Sequence, residues 1–464
     1  ENWTSTLRKS NSGQGNFNFK RPRQSKRGFT MSIATLKPLT HLVDLNTPLN
    51  IDGYIDAGGY QGARKALLEH SPAEVLDIVK ASELKGRGGA GFPTGMKWSF
   101  VPNWEDGDEN APDNKYLICN ADEMEPGTFK DRLLLEGVPH QLIEAMIIAA
   151  YTIGANKAFI FLRGEYHLAS QRLSRAIEEA NQKNWLGNNI QGSQYNLELN
   201  LHTSAGRYIC GEETALINAL EGKRANPRAK PPFPQVAGLF GKPTIVNNVE
   251  TLSNLPHILK HGVDWYKGVS PESDAGTKIY GACGRVNNPG LWELPMGATI
   301  GEVLNTHAGG MQDGLKLKGL LPGGASTDFL LPEHLDTPMD YESIAKAGSR
   351  LGTGGLIVLD DQNCPVAMVL NLLQFFAQES CGWCTPCRDG TPWAVEVLTR
   401  IENGEGCAED LDTLANLCDF MWIGKTHCAL APGAVEPLKS ALRYFHDEFE
   451  QHIDGKCCPY HKGH

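Results

Sequence analysis

Tyr116-Leu117-Ile118-Cys119-Asn120-Ala121-Asp122-Glu123 begins as an apolar run and closes on a polar cluster. The first half reads as a short buried strand, and the second places amide and carboxylate groups at that strand's end. Ala158-Phe159-Ile160-Phe161-Leu162 is a second apolar run, stopped by Arg163-Gly164. Leu197, Leu199 and Leu201 alternate with polar residues, the mark of a half-exposed strand. Helical spacing occupies 137–153 and 166–182 between these runs. Strands alternating with helices give an α/β layer with substantial parallel pairing. In such a layer, polar side chains at a strand's end are placed to meet a ribityl chain, a ring edge or a ribose. The competing reading of Asn120-Ala121-Asp122-Glu123-Met124-Glu125-Pro126-Gly127-Thr128 is a set of helix-capping acids.

Upstream, Ser71-Pro72-Ala73-Glu74 opens a helix, with Ser71 as N-cap, Pro72 at the first helical position and Glu74 closing a capping box. A glycine-rich loop follows, Lys85-Gly86-Arg87-Gly88-Gly89-Ala90-Gly91-Phe92-Pro93-Thr94-Gly95. Gly86, Gly88 and Gly91 match the G-x-G-x-x-G dinucleotide pattern, but here the loop follows a helix, not a strand. What carries over is that residues without Cβ let backbone amides approach a phosphate. Arg87 and Lys97 would add charge to the same place; a merely flexible loop is the alternative.

Two more dense stretches lie downstream. Gly206-Arg207-Tyr208-Ile209-Cys210-Gly211-Glu212-Glu213-Thr214 precedes a helical pattern, so Gly211 would set a helix N-terminus against an anion or ring. Asn247-Asn248-Val249-Glu250-Thr251 is the other. Between them, Lys230-Pro231-Pro232-Phe233-Pro234 is stiffened by proline and would hold Phe233 as a stacking platform. Phe92 and Phe100 would serve likewise, although a single aromatic is more often a core residue than a platform.

From about 275 to 345 the chain turns to short strand-like pieces, the turns Asn287-Asn288-Pro289-Gly290 and Pro322-Gly323-Gly324, and one helix near 299–306. This reads as a small α+β module. Beyond Asp360, apolar spacing over 365–378, 391–402, 408–421 and 434–450 predicts a helical bundle.

That bundle carries Cys381, Cys384 and Cys387 at C-x2-C-x2-C spacing, with Cys428 beside Thr426 and His427. Thiolates so spaced converge on a soft metal centre, and a fourth completes an all-thiolate set. Structural zinc more often takes two separated C-x2-C pairs, so the pattern favours a [4Fe-4S] cluster over zinc, unliganded thiols or disulfides. Of the other cysteines, Cys119, Cys210, Cys283 and Cys364 read as core fillers, and Cys407 and Cys418 as helix residues. Cys457-Cys458 with His461 and His464 offers metal-binding side chains, but a frayed terminus is the simpler expectation.

The formal charge of −11 over 464 residues argues against nucleic acid as the main partner. Fifty glycines predict loops that approach a ligand closely. The basic stretch Arg8, Lys9, Lys20, Arg21, Arg23, Lys26 and Arg27 has no apolar core of the kind a secretory signal needs, and reads as a disordered leader before Met31. No run of apolar residues approaches membrane-spanning length. Twelve cysteines without a secretory signal suit a reducing cytosol.

The motifs GRGGAGFPTGMKW (86–98), NADEMEPGT (120–128), GRYICGEETALI (206–217), KPPFP (230–234), NNVET (247–251) and ESCGWCTPCRDG (379–390) together resemble the family of NADH-binding flavoproteins of respiratory complex I. The resemblance covers roughly 36–450, and Trp383 with the stretch 285–295 looks closer to the bacterial form. Lys85 departs from the arginine expected there but keeps the charge.

The resemblance implies an unusual Rossmann-like FMN- and NADH-binding α/β domain with an N-terminal extension over 36–270, and a ubiquitin-like soluble-ligand-binding module over 271–348. A helical [4Fe-4S] domain over 349–452 follows, with a leader (1–35) and a tail (453–464) outside them. By the same resemblance FMN is held by Gly86, Arg87, Gly88, Lys97, Asn120, Asp122, Tyr208, Gly211, Glu212, Asn247, Asn248 and Thr251, with Gly89, Gly91, Gly95 and Glu123 in the same cofactor-binding set. The adenine of NADH would lie among Phe92, Phe100 and Phe233, with polar contacts from Glu125, Glu213 and Lys230, and Glu125 and Glu213 closest to the chemistry. Cys381, Cys384, Cys387 and Cys428 would ligate the cluster. Implied partners are a thioredoxin-like [2Fe-2S] subunit, a multi-cluster iron–sulfur subunit and the membrane arm, at the cytoplasmic side of a bacterial inner membrane. The diaphorase subunit of an NAD-reducing hydrogenase or formate dehydrogenase shares nearly all these motifs and is the alternative.

Overall fold

The computed structural model describes residues 37–102 and 114–460; the basic leader, Met31, His461 and His464 lie outside them. The helix Pro72–Ala81 starts as its sequence dictates, with Ser71 and Glu74 exchanging both hydrogen bonds of a capping box.

Four strands form the first sheet: β1 (Tyr116–Ala121), β2 (Lys157–Leu162), β3 (Glu198–Thr203) and β4 (Thr244–Asn248). Their order is β3-β2-β1-β4, all parallel. The period-2 alternation of a strand divides their side chains between two cores. Leu117, Cys119, Ala121, Ala158, Ile160 and Leu162 pack into a large core with the helices Pro139–Ile153 and His167–Gln182. Tyr116, Ile118, Phe161 and Val246 face the other way, onto Cys210, Leu216, Ile217 and Leu239. The helix predicted over 137–153 is present as Pro139–Ile153, and a helix the sequence reading did not include, Lys130–Gly137, precedes it at a bend of 99° where Pro139 follows Val138. No single described helix is long and apolar enough to cross a membrane.

The second sheet holds β5 (Thr277–Cys283), β6 (Gly290–Pro295), β7 (Leu317–Leu321) and β8 (Gly355–Asp360) in the order β6-β5-β8-β7. The sequence reading closes this module at 348, yet its sheet takes β8 from beyond that point. β8 is buried along its whole length, so it carries no alternation to mark it as a strand of the small module. A buried ion network ties the two sheets together: Lys130 lies 2.8 Å from both Asp131 and Glu250, and Lys278 of β5 lies 3.2 Å from Glu250.

The remainder is helical: Pro365–Glu379, Thr385–Glu402, Ala408–Phe420, Leu430–Tyr444 and His446–Gly455. Their apolar faces share one core that includes Val369, Leu373, Phe376, Val397, Leu414 and Leu438. The tail is not frayed as far as it is described. Cys458 is buried in this core and the Tyr460 hydroxyl bonds Glu448, because the backbone of Lys456 and Cys457 lies against Gly404, where a Cβ would leave no room.

Candidate functional site

The chain reverses direction across the first sheet between β1 and β4: β2 and β3 are added on one side of β1, and β4 on the other. Ligands of open parallel sheets bind at such a switch point, outside the carboxyl ends of the strands. Asn120 and Asn248 are register partners there, and Asn247 is the partner of Cys119. The motifs NADEMEPGT and NNVET, more than a hundred residues apart, therefore meet at one edge.

The glycine loop closes over this edge. The amide of Arg87 donates to Thr251 Oγ1 at 2.7 Å, and a Cβ on Gly88 would come within 3.0 Å of the Asn248 side chain. Gly89, at φ +139°, has open space where a Cβ would stand, the cradle expected of a loop that leaves room for a ligand. Gly91 and Gly95 answer to packing instead: a Cβ on Gly91 would strike the Tyr341 ring at 2.4 Å, and one on Gly95 the Lys80 backbone at 2.7 Å. Arg87 differs from expectation as well. Its guanidinium is fully buried and donates to Ala275 O at 2.7 Å, bracing the loop from below, with Nε and Nη1 left without a protein partner.

Behind the loop, Lys97 Nζ donates to Val246 O and to Glu213, both at 2.9 Å, and Lys230 grips the other Glu213 oxygen at 2.6 Å. Burial alone would raise the Glu213 pKa, but the two ammonium groups outweigh it and hold the carboxyl down at about 2. Asn120 Nδ2 donates to Gly211 O at 2.8 Å, fixing the third motif against the first. Glu212 turns back to cap its own helix, accepting from the amides of Thr214 and Ala215 at 2.9 Å. Glu123 is likewise spent within the protein: it accepts from the amides of Asp131 and Arg132 and from the Tyr166 hydroxyl. The helix-capping reading holds for that one carboxylate.

Asp122 is the contrary case. Oδ1 accepts from Ser204 at 3.1 Å, while buried Oδ2 has no protein partner, and desolvation lifts the carboxyl to about 7. A buried acceptor without a donor at a strand's end is what a hydroxyl- or N–H-bearing ligand would satisfy. The orphaned Asp122 oxygen and the open space beside Gly89 together fit a group such as FMN. Phe92, Phe100 and Phe233 stand about half exposed, and the first two rings lie 6.3 Å apart, so none of the three is a core aromatic.

A line of contacts leads from this cleft to the cysteines. Half-buried Glu125 accepts from the Tyr208 hydroxyl at 2.6 Å and from the Ser326 amide at 2.7 Å, and desolvation raises its pKa despite those bonds. The Tyr208 amide donates to Glu379 at 2.8 Å, and Glu379 directly precedes Ser380-Cys381. Cys384 is the N-cap of the helix Thr385–Glu402 and Cys387 lies in its first turn. Gly382, at φ +74°, makes the bend between Cys381 and Cys384.

Burial pushes the Cys387 thiol up to about 11, with charge repulsion from Cys384 and Cys381 added. Cys428 rises to about 12 by burial, with Cys387 and Cys381 among the groups repelling its charge. The four thiols are thus neighbours.

Sequence reasoning missed Trp98, whose Nε1 donates to Asn247 Oδ1 at 2.8 Å, although it closes the first motif. It also missed Ser326 and Asp131, which carry no local signal; Asp131 accepts from Asn248 Nδ2 at 2.6 Å. A cleft of about 730 Å³, lined by Ser204, Arg207, Arg224, Glu379 and Cys381 among others, lies beside the cysteine loop and not over the glycine loop.

A parallel sheet with a polar switch-point cleft, a small mixed module and a thiol-bearing bundle define a flavin-binding iron–sulfur protein. Family models agree: residues 79–257 match the Nuo51 FMN-binding domain, 282–329 an SLBB domain, and 367–452 the NADH-ubiquinone oxidoreductase-F iron-sulfur binding region. The F subunit of NADH-quinone oxidoreductase in Salmonella typhimurium is 58% identical over 417 residues, covering 90% of this chain and 93% of that one. Its namesake in Mycobacterium bovis is 48% identical over 402 residues, covering 87% and 89%. A chain in the crystal structure of an NAD+-reducing [NiFe]-hydrogenase superposes with a TM-score of 0.76 at 35% identity, covering 91% of this chain and 67% of that one. The chain belongs to the family of NADH-quinone oxidoreductase F subunits.

Proposed function

We propose that this chain oxidises NADH at the β1/β4 edge and passes the electrons singly to a cluster held by Cys381, Cys384, Cys387 and Cys428. When bound, FMN supplies an acceptor that takes a hydride and releases electrons one at a time, matching a two-electron donor to a one-electron cluster. The observation that carries this reading is the meeting of four distant polar motifs at the sheet's switch point, one bonded link (Glu125–Tyr208–Glu379) from the cysteine loop.

In this reading the residues position and shield; none is asked to act as a nucleophile. Gly88 and Gly89 would admit the flavin phosphate, with Gly86, Asn120, Asp122, Gly211, Asn247, Asn248 and Thr251 shaping the ribityl and ring pocket. Asp122 Oδ2 would accept from the flavin. Lys97 and Lys230, locked to Glu213, would hold the cleft mouth in one shape, and Phe92, Phe100 and Phe233 would stack the adenine. Glu125, with Tyr208 and Ser326 fixing both oxygens, would present a carboxyl of raised pKa near the reacting ring and exclude water there.

The partners would be further iron–sulfur subunits of the same complex, among them a thioredoxin-like [2Fe-2S] subunit, leading to a quinone at the membrane arm on the cytoplasmic face. The hydrogenase-type alternative is disfavoured because identity is 58% to the Salmonella F subunit and 35% to the hydrogenase chain. Anaerobic titration with NADH, following flavin bleaching, and a separate turnover assay with ferricyanide as acceptor test the proposal. Stoichiometric bleaching supports it, and a folded, flavin-reconstituted protein that NADH leaves oxidised would overturn it.

A further inference from the structure

A second group of metal-binding side chains lies in the bundle, apart from the four cysteines above. Cys364 Sγ, Glu402 and His452 Nε2 stand within 3.3–3.4 Å of one another, and with Cys458 Sγ all four donors fall within 4.8 Å. A tetrahedral ion with bonds of about 2.0 to 2.3 Å separates its ligands by roughly 3.3 to 3.8 Å. Only a small inward shift of Cys458 and the rest would therefore be needed. We propose that Cys364, Glu402, His452 and Cys458 bind one structural zinc ion that fastens the end of the chain to the bundle.

Three observations carry this. First, His452 is fully buried and its Nδ1 donates to Glu448 O at 2.5 Å, which fixes the tautomer and leaves the Nε2 lone pair aimed at the other three donors. Metal-ligating histidines are oriented in this way, through the second ring nitrogen. Second, Glu402 is held at the cluster by Oε2, 3.4 Å from Cys364 Sγ and 3.3 Å from His452 Nε2, while its other buried oxygen, Oε1, has no partner in the protein. A carboxylate short of one partner, beside two thiols and an imidazole, is what a bound cation would satisfy. Third, Cys364 is the N-cap of the helix Pro365–Glu379 and accepts from the Ala367 amide at 3.3 Å, which fixes its Sγ at the helix start beside the other donors.

The donor set also selects the ion. Two thiolates, one imidazole and one carboxylate suit zinc, and four protein ligands leave no open position, so the role is structural. Binding releases the two thiol protons to solvent and changes no oxidation state. The four ligands come from the start of one helix, the end of the next, the last helix and the tail. Their closure would clamp Cys458 and Tyr460 beside β7, where Lys318 already bonds Glu448.

The full chain, purified with its flavin and iron and without chelator, is assayed for zinc, iron and flavin per chain by mass spectrometry and absorbance. One zinc is expected, absent from C458S and from H452Q, with iron and flavin unchanged; C457S, at the exposed neighbouring thiol, keeps its zinc. Zinc-edge X-ray absorption fine structure is expected to show two sulfurs at about 2.3 Å and two lighter atoms at about 2.0 Å. The proposal is overturned if zinc-supplied wild type with full iron and flavin holds no zinc, or if C458S keeps it. A shell of nitrogen and oxygen alone also overturns it and marks an adventitious ion only. Should the variants fail to fold, the fine structure of the wild type decides alone.

Discussion

The cleft at the first sheet and the cysteine loop of the bundle are built on opposite terms. In the cleft nearly every polar group already has a protein partner: Glu213 with Lys97 and Lys230, Glu125 with Tyr208 and Ser326, Asn120 with Gly211. In the loop the thiols of Cys381 and Cys384 have no such network among the described residues, Cys428 has the Leu430 backbone, and Cys387 has the Ser380 hydroxyl at 3.2 Å. A cleft whose shape the protein itself maintains should degrade by degrees when a residue is changed. A thiol set that the bound group completes should fail all at once.

The sharpest break of that contrast is Cys387→Ser. Cluster iron should fall to background while flavin and NADH binding persist, measured by iron content and NADH titration. Partial iron retention would show that the loop, too, is maintained by the protein. Next comes Glu213→Gln. Losing one member of a buried pair costs about 3 to 5 kcal/mol, but side chains of 19% and 23% exposure feel less, so about 1 to 2 kcal/mol is expected. That corresponds to roughly a tenfold rise in KM for NADH. Because the pKa of Glu213 is depressed to about 2, its contribution is fully present above about pH 4.5 and is lost as pH falls toward 2; the clamp is intact at neutral pH.

Phe233→Ala removes a half-exposed ring, so its effect should fall near the low end of the about 1 to 3 kcal/mol of base stacking, about a fivefold rise in KM. An unchanged KM would remove Phe233 from the adenine site. The smallest effect concerns Asp122, whose carboxyl desolvation raises to about 7. Between about pH 4 and 7 the folded state keeps a proton that the unfolded chain has released, so stability declines as pH rises through that window. Asp122→Asn should flatten part of the decline in melting temperature of flavin-free protein between about pH 5 and 7. Only part is expected, since Glu123, Glu293 and Glu436 are raised to about the same value.

Much of the fold was legible because strong local rules act on it. Ser71-Pro72-Ala73-Glu74 must cap a helix, and the apolar runs at 116–119 and 158–162 are short enough to be strands. β4 was not legible as a strand, since Thr244–Asn248 is short and ends in two asparagines that read as a binding motif. Within the site, local spacing singled out motifs that the fold brings to one edge, but not what each residue touches. Arg87 and Glu123 look like ligands in sequence, and both are turned to partners that lie far along the chain.

Residues a few positions apart were enough to specify the capped helices, the glycine loop, and a C-x2-C-x2-C turn that sets three thiols close together. Meetings across long separations came from the fold alone. Packing set Asn120 beside Asn248, linked Glu125 through Tyr208 to the cysteine loop, and brought Cys458 to Cys364. Caps and turns are fixed by short-range hydrogen bonds and sterics, which adjacent residues carry with them. Which distant side chains share a buried site follows instead from how the sheets and bundle pack.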